Sequence, residues 1–356
     1  MASSGDTPPS RSLARMMSQG LTGVPCMLED EVTDRDWQRL TLVRCKRDIM
    51  GVDPYFREAW AQAKRSWPGD PGILHQIGVI IFKPEAIAGR RMIPALEACA
   101  SHGFVPVAFR RFRFDSRAMR ELWRYQWNTV TVDRIRLATY LNSFCDSLMV
   151  VLNDHTDSVI LPCTVRLSNL KGPCHPAFRN PRQLRSVMNS PNPVLAMIHT
   201  SDEPVDVLRD IGVIFGLDEI IGLYAEIRDH LQMDATERLV AEVESLHEGC
   251  PQHDLDPERA CQRLIRRIRE RATDHAVSRS ECLELIDRLE SAGNGSVVAW
   301  FDLEEGARNV GIRVDWDLVV AASTRIRAAF SDGRAIIEAD GYSEWTRRDG
   351  TPVDDA

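Results

Sequence analysis

The 356-residue sequence contains no apolar run close to the roughly 20 residues that a membrane-spanning helix needs, which argues against an integral membrane protein. It has no excess of positive charge, since the formal net charge is −8 and the isoelectric point is about 5.7. Neither nucleic acid nor an anionic membrane is therefore expected as a partner. The nine cysteines form no disulfide framework, which indicates reduced thiols and a cytoplasmic protein.

Several sequence signatures are also absent. The sequence has neither the Walker A loop nor the catalytic loop of protein kinases, so these two phosphoryl-transfer classes are disfavoured. It has no repeat of fixed period, which argues against a solenoid. The N-terminus lacks the continuous apolar core of a signal peptide, and residues 1–22 are predicted to be a disordered tail.

Two regions outside the centre of the chain are predicted to be helical. Residues 23–73 are interpreted as a helical N-terminal extension, in which Asp53 caps a helix that has Pro54 at its first position. The proline- and glycine-rich stretch 68–72 marks the end of this extension. Residues 219–356 are predicted to be a mostly helical C-terminal region, in which Ser278 and Glu281 resemble a capping box before a leucine-rich helix and another helix is predicted over 315–330.

The central segment, 74–218, alternates predicted strands with predicted helices. Short apolar runs predict four buried strands, at 77–82, 104–109, 148–152 and 194–198. Pro106 places the second strand at a sheet edge or at a bulge, because proline cannot donate to the ladder. A helix is predicted over 87–102, and 159–192 is rich in loops. This order favours an α+β sandwich over a doubly wound parallel sheet.

His199 is the most informative single residue, because it stands between the fourth predicted strand and the helix that closes the segment. A side chain at such a turn is exposed, oriented and close to free backbone donors. A neutral imidazole has a free lone pair and needs no strong base, but one ring nitrogen must donate to an acceptor so that the other faces the reacting atom. The alternative is a buried histidine with satisfied hydrogen bonds at a strand end.

Four segments, the last of which contains His199, follow one another in the order of a known family and at similar spacing. They resemble the motifs of nucleoside diphosphate kinases over residues 74–218, about two-fifths of the chain. Gly103-Phe104, which opens the second strand, adds to the resemblance. The segments are Ile-Phe-Lys-Pro-Glu at 81–85, Leu-Lys-Gly-Pro-Cys-His-Pro at 170–176, Pro-Arg-Gln-Leu-Arg at 181–185 and Ile-His-Thr-Ser-Asp at 198–202.

The resemblance implies a fold and a reaction. The fold is a ferredoxin-like α/β sandwich, and the reaction moves the γ-phosphate of ATP or another nucleoside triphosphate through a phosphohistidine at His199. Mg²⁺ is carried with the nucleotide rather than in a metal site of the protein. The acceptor is a nucleoside diphosphate or a specialised small molecule, and a homo-oligomer is compatible with the resemblance.

The resemblance also implies roles for residues close to the histidine. Asp210, where the family carries a glutamate, is expected to orient the imidazole of His199. Tyr125 matches the family tyrosine near the catalytic histidine, and Ser201 matches the serine that follows it. Taken singly, Tyr125 is interpreted as a structural residue.

A second set is implied to bind the nucleotide and its phosphates. Lys83 and Arg185 match positions that contact the phosphates, which a transferring phosphoryl group requires because its charge spreads over its oxygens. Arg166 is assigned as a second guanidinium, and Cys174 and Ala196 stand at nucleotide-contact positions. The alternatives are a solvated Lys83, an Arg185 paired with a surface carboxylate and a structural Arg166.

Three departures from the family pattern favour a second function. Ala196 replaces an asparagine, Cys174 replaces a threonine, and Thr200 replaces the glycine that follows the histidine. A thiol is a weaker hydrogen-bond donor than a hydroxyl, and alanine has no polar group. The alternative function is a catalytically weak or inactive nucleotide-binding or regulatory module.

Two other patterns favour structural interpretations. His247, Cys250 and His253 have the spacing of metal ligands, with Cys261 as a fourth, but no second paired motif accompanies them. The arginine-rich run 263–271 is interpreted as a solvated helix face because acidic residues surround it. Likewise, Trp123 and Trp127, four residues apart, are interpreted as core residues.

Overall fold

The computed structural model describes five stretches of the chain: 31–69, 72–156, 161–293, 296–338 and 341–347. The predicted tail, 1–22, lies outside the described residues. Within the five stretches, no helix combines the length and the apolar character that crossing a bilayer requires.

A four-stranded antiparallel sheet lies at the centre of the fold. Its strands are β1 (Ile77–Phe82), β2 (Phe104–Phe112), β3 (Ser147–Asp154) and β4 (Ile198–Thr200). They lie in the order β2-β3-β1-β4. In β1, Ile77 pairs with Asn153 of β3 and Ile81 with His199 of β4. All of β1 is buried, as expected for a strand that is covered on both faces.

The second strand lies at an edge of the sheet and also contains an irregularity. Its register with β3 shifts between Pro106 and Ala108, so the prediction made from this proline is confirmed. Gly103, directly before the strand, has a φ of +84°. A Cβ atom there would lie 2.5 Å from Cγ2 of Thr156, so both the backbone conformation and the space require glycine.

Helices cover both faces of the sheet. From the N-terminus they are α1 (Asp34–Leu40), α2 (Arg44–Met50), α3 (Pro54–Ser66), α4 (Ile73–Gln76), α5 (Pro84–Ala88), α6 (Met92–Ser101), α7 (Ser116–Leu122), α8 (Val132–Ser143) and α9 (Cys163–Lys171). The later ones are α10 (Leu184–Val187), α11 (Pro204–Ile214), α12 (Leu217–His230), α13 (Thr236–Gly249), α14 (Pro257–Arg271), α15 (Arg279–Gly293), α16 (Trp300–Asn309), α17 (Trp316–Ala322) and α18 (Gly341–Arg347).

Two hydrophobic cores lie against the two faces of the sheet, because side chains alternate along each strand. Val79 and Ile81 of β1 belong to one core, together with apolar residues of α3, α11 and α12. Ile80 and Phe82 belong to the other core, together with residues of α14 to α17. The described parts of both terminal regions therefore contribute to the cores around the sheet. The predicted divisions at residues 23, 74 and 219 stay predictions.

Two predicted elements differ in the structure. The helix predicted over 87–102 is divided into α5 and α6, and Arg90 between them has a φ of 56°. Pro84 is compatible with the first helical position, so α5 begins directly after β1. The segment 159–192, predicted to be rich in loops, contains α9 within its described part.

The fourth strand is shorter and later than predicted. The sequence predicts it over 194–198, whereas β4 is Ile198–Thr200. The paired residues of the strand begin at Ile198, and Met197 directly before it has a φ of 62°. The guanidinium of Arg185 donates to the carbonyl oxygen of Ala196, which precedes the strand, and to that of Ile198, its first residue. His199 therefore lies within the strand rather than after it.

Candidate functional site

His199 is one of the residues that line a polar cavity in the described part of the chain. The cavity has a volume of about 600 Å³. Within β4, Ile198 and Thr200 are buried, while the side chain of His199 is 17% exposed. The alternation of the strand therefore turns the imidazole towards the cavity and its two neighbours towards the interior.

Both ring nitrogens of His199 have a hydrogen-bond partner. Nε2 lies 2.8 Å from Oδ2 of Asp210. On the other side of the ring, Nε1 of Trp123 donates to Nδ1 over 3.3 Å. Because an indole N–H can only donate, Nδ1 must be the nitrogen without a proton, and Nε2 donates its proton to the carboxylate.

Asp210 holds a second donor as well as the histidine. The hydroxyl of Ser201 donates to the same Oδ2 over 2.7 Å. Asp210 lies on α11 and is 4% exposed, and this helix is fixed at its start by a capping box between Glu203 and Asp206. The structure thus brings His199, Ser201 and Asp210 together, although the aspartate is one methylene shorter than a glutamate.

Lys83 lies beside the histidine, directly after β1. Its backbone N–H donates to the carbonyl of Met197 over 2.9 Å, which ties it to the start of β4. Its Nζ lies 2.6 Å from Oε1 of Glu85. Burial lowers the pKa of Lys83, while Glu85 acts in the opposite direction. The same Glu85 oxygen accepts from the backbone N–H of Met197 over 3.1 Å.

Arg185 lines the cavity and organises its backbone. Its guanidinium donates to the carbonyl oxygens of Gly172, Ala196 and Ile198, and the residue is 6% exposed. Arg185 thus joins the loop after α9 to the residues before His199. Guanidinium groups suit this role because their donors point outward from a rigid plane.

Two further cations line the cavity, and sequence reasoning did not find them. Arg134 on α8 donates to the carbonyl oxygens of Pro193 and Val194 over 3.1 and 3.2 Å. Burial lowers its pKa to about 10, which still leaves it charged at neutral pH. No pattern in the sequence distinguishes Arg134 from other helix arginines. Lys171 belongs to the segment 170–176, which the resemblance singled out, so its position in that segment could have indicated a role in the site.

Lys171 is paired with the carboxylate that follows β4. Its Nζ lies 3.0 Å from Oδ1 of Asp202, and the hydroxyl of Ser168 donates to the same oxygen. Burial opposes the ionisation of Asp202, but Lys171 and Lys46 outweigh it and hold the pKa of this carboxyl below its usual range. Asp202 is the only carboxylate among the cavity-lining residues of the described chain.

Two of the residues proposed from the resemblance lie elsewhere. The hydroxyl of Tyr125 donates to Oδ2 of Asp53 over 2.9 Å, and Tyr125 is not among the cavity-lining residues. Arg166 forms an ion pair with Asp154 and packs 5.0 Å from the ring centre of Phe104, outside the cavity. By contrast, the other two nucleotide-contact candidates, Cys174 and Ala196, both line the cavity.

Trp123 and Trp127 form an aromatic wall of the cavity. Their rings stack with centroids 5.1 Å apart and an interplanar angle of 17°. Both were predicted to be core residues. They do pack against a hydrophobic core, but each also lines the cavity. Trp123, rather than Tyr125, is the aromatic residue beside the histidine.

The C-terminal helix α18 completes the wall of the cavity. Gly341, Tyr342 and Ser343 line it. The helix is held by Nε1 of Trp345, which donates to Oε1 of the buried Glu203 over 2.9 Å. Sequence reasoning missed this contribution, because nothing local in the segment indicates which distant part of the chain it contacts.

The histidine–cysteine pattern at 247–253 and the arginine-rich run at 263–271 both lie outside the cavity, and each contains residues that pair with Asp317. Among the described residues, no group of three or more His, Cys, Asp or Glu side chains is placed to hold a metal ion. His253 lies 3.1 Å from Asp317. Within the arginine-rich run, which was predicted to be a solvated helix face, Arg263 and Arg267 pair with the same aspartate, Asp317, whose side chain is 11% exposed.

Comparisons with known proteins give a limited result. No family model matches the sequence, and no curated protein matches it significantly. Among solved structures, the chain is similar to a nucleoside diphosphate kinase of Aquifex aeolicus, with 22% identity, 40% of this chain and 97% of that chain covered, and a TM-score of 0.33. It is also similar to an NDP kinase of Pyrobaculum aerophilum, with 15% identity, 41% and 98% covered, and a TM-score of 0.30. Likenesses at this level assign the chain neither a family nor an activity.

Proposed function

We propose that this protein is a phosphotransferase that moves the γ-phosphate of ATP or another nucleoside triphosphate through a phosphohistidine at His199. The acceptor is a nucleoside diphosphate or a specialised small molecule that binds in the same cavity. The observation that carries this proposal is the hydrogen bond from Nε2 of His199 to Asp210. It leaves Nδ1 as the one ring nitrogen with a lone pair, in a cavity lined by cations.

In the first half of the reaction, the Nδ1 lone pair attacks the γ-phosphorus. A bond forms between nitrogen and phosphorus, the bond from phosphorus to the bridging oxygen breaks, and the nucleoside diphosphate leaves with the electron pair. The ring becomes more positive, and the carboxylate of Asp210 stabilises it while holding the Nε2 proton. The second half reverses these steps on the acceptor.

The cations of the cavity suit a phosphate ligand. Lys83, Arg134, Lys171 and Arg185 line it together with His199. Because the charge of a transferring phosphoryl group spreads over its oxygens, the main contribution of a protein is position and positive charge. Of the four, Lys83 and Lys171 are paired with carboxylates, so a phosphate would compete with Glu85 and Asp202 for them.

Mg²⁺ enters the proposal only as an ion carried on the nucleotide phosphates. Asp202, the single lining carboxylate of the described chain, is already engaged by Lys171 and Ser168. One carboxylate is too few for a protein cage, whereas a nucleotide brings its own oxygen ligands. Bound in this way, the ion would neutralise phosphate charge.

Further parts of the proposal concern the setting of the site. The strand order β2-β3-β1-β4, with every pairing antiparallel, supports a ferredoxin-like sandwich for the central segment. Eight cysteines in the described residues are free thiols, which supports a reducing, cytoplasmic setting. Assembly into a homo-oligomer stays a proposal.

A specific observation favours the alternative, a nucleotide-binding regulatory module without turnover. Nδ1 of His199 already accepts a hydrogen bond from Trp123, and Arg185 already donates to three backbone carbonyls. Ala196 lacks a polar side chain to contribute. This arrangement suits the binding of an anion, and it leaves neither ring nitrogen of His199 without a hydrogen-bond partner for phosphoryl transfer.

Labelling with γ-³²P-ATP and Mg²⁺ separates the two functions. The phosphotransferase predicts a label that is labile in acid and stable in alkali, absent from His199→Ala and retained in His275→Ala. His275 is an exposed histidine outside the cavity and serves as the matched control. Nucleotide binding without label supports the regulatory module. A label that persists in His199→Ala contradicts the proposed nucleophile.

A further inference from the structure

We infer that Trp123 is a positioning residue for His199, whose indole N–H holds the Nδ1 lone pair in the resting site and must release it before phosphorus can bind there. The inference rests on the proposed phosphotransfer through His199. It gives Trp123 a role that the indole N–H alone can perform, distinct from the packing of its rings.

The geometry of the two rings supports a hydrogen bond from the indole N–H to the imidazole rather than van der Waals packing alone. Nε1 of Trp123 lies 3.3 Å from Nδ1 of His199. The ring centroids are 5.8 Å apart and the planes are at 85°, so the edge of one ring meets the other. Since the indole can only donate, this bond exists only while Nδ1 carries a lone pair.

Together with Asp210, the indole fixes the imidazole from both sides. The carboxylate accepts from Nε2 and the indole donates to Nδ1, so a single tautomer and a single ring orientation satisfy both partners. The nitrogen that Trp123 holds is the one that the proposed reaction uses. One lone pair cannot accept the indole proton and bind phosphorus at the same time.

The indole is itself held in place by neighbouring rings. Trp123 stacks on Trp127 with centroids 5.1 Å apart, and it packs against Phe114 with centroids 5.7 Å apart. Nζ of Lys83 lies 5.9 Å from the centre of its ring, which is within the range of a cation–π contact. A phosphate that draws Lys83 towards itself weakens that contact, which links ligand binding to the release of Nδ1.

The test measures the reactivity of the Nδ1 lone pair without any phosphotransfer. Diethyl pyrocarbonate acylates neutral imidazole nitrogens, and mass spectrometry resolves the rate at each histidine. Two variants remove the indole N–H: Trp123→Phe, and the replacement of Trp123 by benzothienylalanine, which keeps the shape of the indole and the fold if phenylalanine does not. The exposed His275 is the internal reference in every sample.

Loss of one hydrogen bond of ordinary strength predicts that His199 is acylated about fivefold faster, relative to His275, in both variants. The ¹⁵N resonance of Nδ1 is expected to move towards that of a free lone pair. An unchanged acylation rate and an unchanged resonance in the shape-matched variant overturn the inference.

Uptake of γ-³²P label by the same samples distinguishes this failure from failure of the proposed function. Faster acylation together with faster labelling supports both. Label on the wild-type protein with unchanged acylation overturns the role of Trp123 alone. Faster acylation without label in any sample overturns the phosphotransfer and, with it, the role of Trp123 in that reaction.

Discussion

Nζ of Lys83 lies 2.6 Å from Oε1 of Glu85, and neither side chain is more than 6% exposed. Burial of an ion pair is costly, and removing one partner leaves an uncompensated charge in the interior. The second carboxylate oxygen, Oε2, is buried and has no hydrogen-bond partner in the described structure. The stability of this region therefore depends on Lys83 and Glu85 remaining paired, and the proposed phosphate ligand would compete with Glu85 for the lysine.

Glu85→Gln is expected to lower the free energy of unfolding by about 3 kcal/mol, because the charge of Lys83 loses its partner. Urea unfolding measures the difference. Glu97→Gln, at an exposed position of α6, is the matched control and is expected to change stability by less than about 0.5 kcal/mol. The double variant Lys83→Met/Glu85→Gln should recover part of the loss. Equal stability of Glu85→Gln and the wild type would contradict this account of the pair.

Arg185→Lys is expected to lower the free energy of unfolding by about 2 kcal/mol. A lysine has a single nitrogen and cannot donate at once to the carbonyls of Gly172, Ala196 and Ile198, so buried acceptors lose their partners. The control is Arg182→Lys, three residues earlier and exposed. If both variants unfold at the same urea concentration, Arg185 does not organise the loop before β4.

Asp206→Asn tests the pH dependence of the helix that carries Asp210. Burial raises the pKa of Asp206 from its usual 3.8 to about 6, although Lys46 opposes this shift. Between these values the folded protein binds more protons than the unfolded chain. The contribution of protonated Asp206 to the free energy of unfolding is therefore complete below about pH 4 and is lost as the pH rises through 6.

Asparagine does not titrate, so the stability of the wild type relative to Asp206→Asn is expected to fall between pH 4 and pH 6. The change is on the order of 2 kcal/mol. Urea unfolding of both proteins at half-unit steps of pH measures it. A difference that stays constant, or that rises with pH, would show that Asp206 does not titrate in this way.

Trp345→Phe is expected to loosen the C-terminal wall of the cavity. The variant keeps an aromatic ring against His75 but loses the donor to Oε1 of Glu203. Loss of such a bond to a charged group should raise the rate of tryptic cleavage after Arg334 by about tenfold, because local opening becomes easier. Cleavage that proceeds at the wild-type rate would mean that other contacts hold α18.

Local features of this fold could be predicted from the sequence, because their causes lie within a few residues. Asp53 caps α3 by accepting from the backbone N–H of Phe56 over 3.1 Å, as the Asp53-Pro54 pair indicates. The bounds of β1 agree with its apolar run. The bounds of β4 could not be placed so well, since the left-handed backbone of Met197 ends the extended conformation before Ile198 and the apolar run 194–198 does not reveal this.

The residues of the candidate site also fall into two groups, those that the sequence could indicate and those whose position depends on packing between distant elements. His199, Lys83, Arg185 and Asp210 could be singled out because motifs mark them or because their spacing along the chain fits. Trp123 and Arg134 could not, since their proximity depends on how α7 and α8 pack beside β4. The resemblance placed Tyr125 beside His199. In the structure Trp123, two residues earlier in the irregular segment after α7, occupies that place, and the hydroxyl of Tyr125 donates to Asp53.

The position of phosphorus on the ring of His199 tests the central claim most directly. Protein labelled with ¹⁵N-histidine is incubated with ATP and Mg²⁺, and the coupling between ³¹P and ¹⁵N identifies the phosphorylated nitrogen. Because Asp210 holds the proton of Nε2, the phosphate is predicted on Nδ1, with Nε2 still protonated. Phosphate on Nε2, phosphate on another residue, or no phosphohistidine at all would contradict the account.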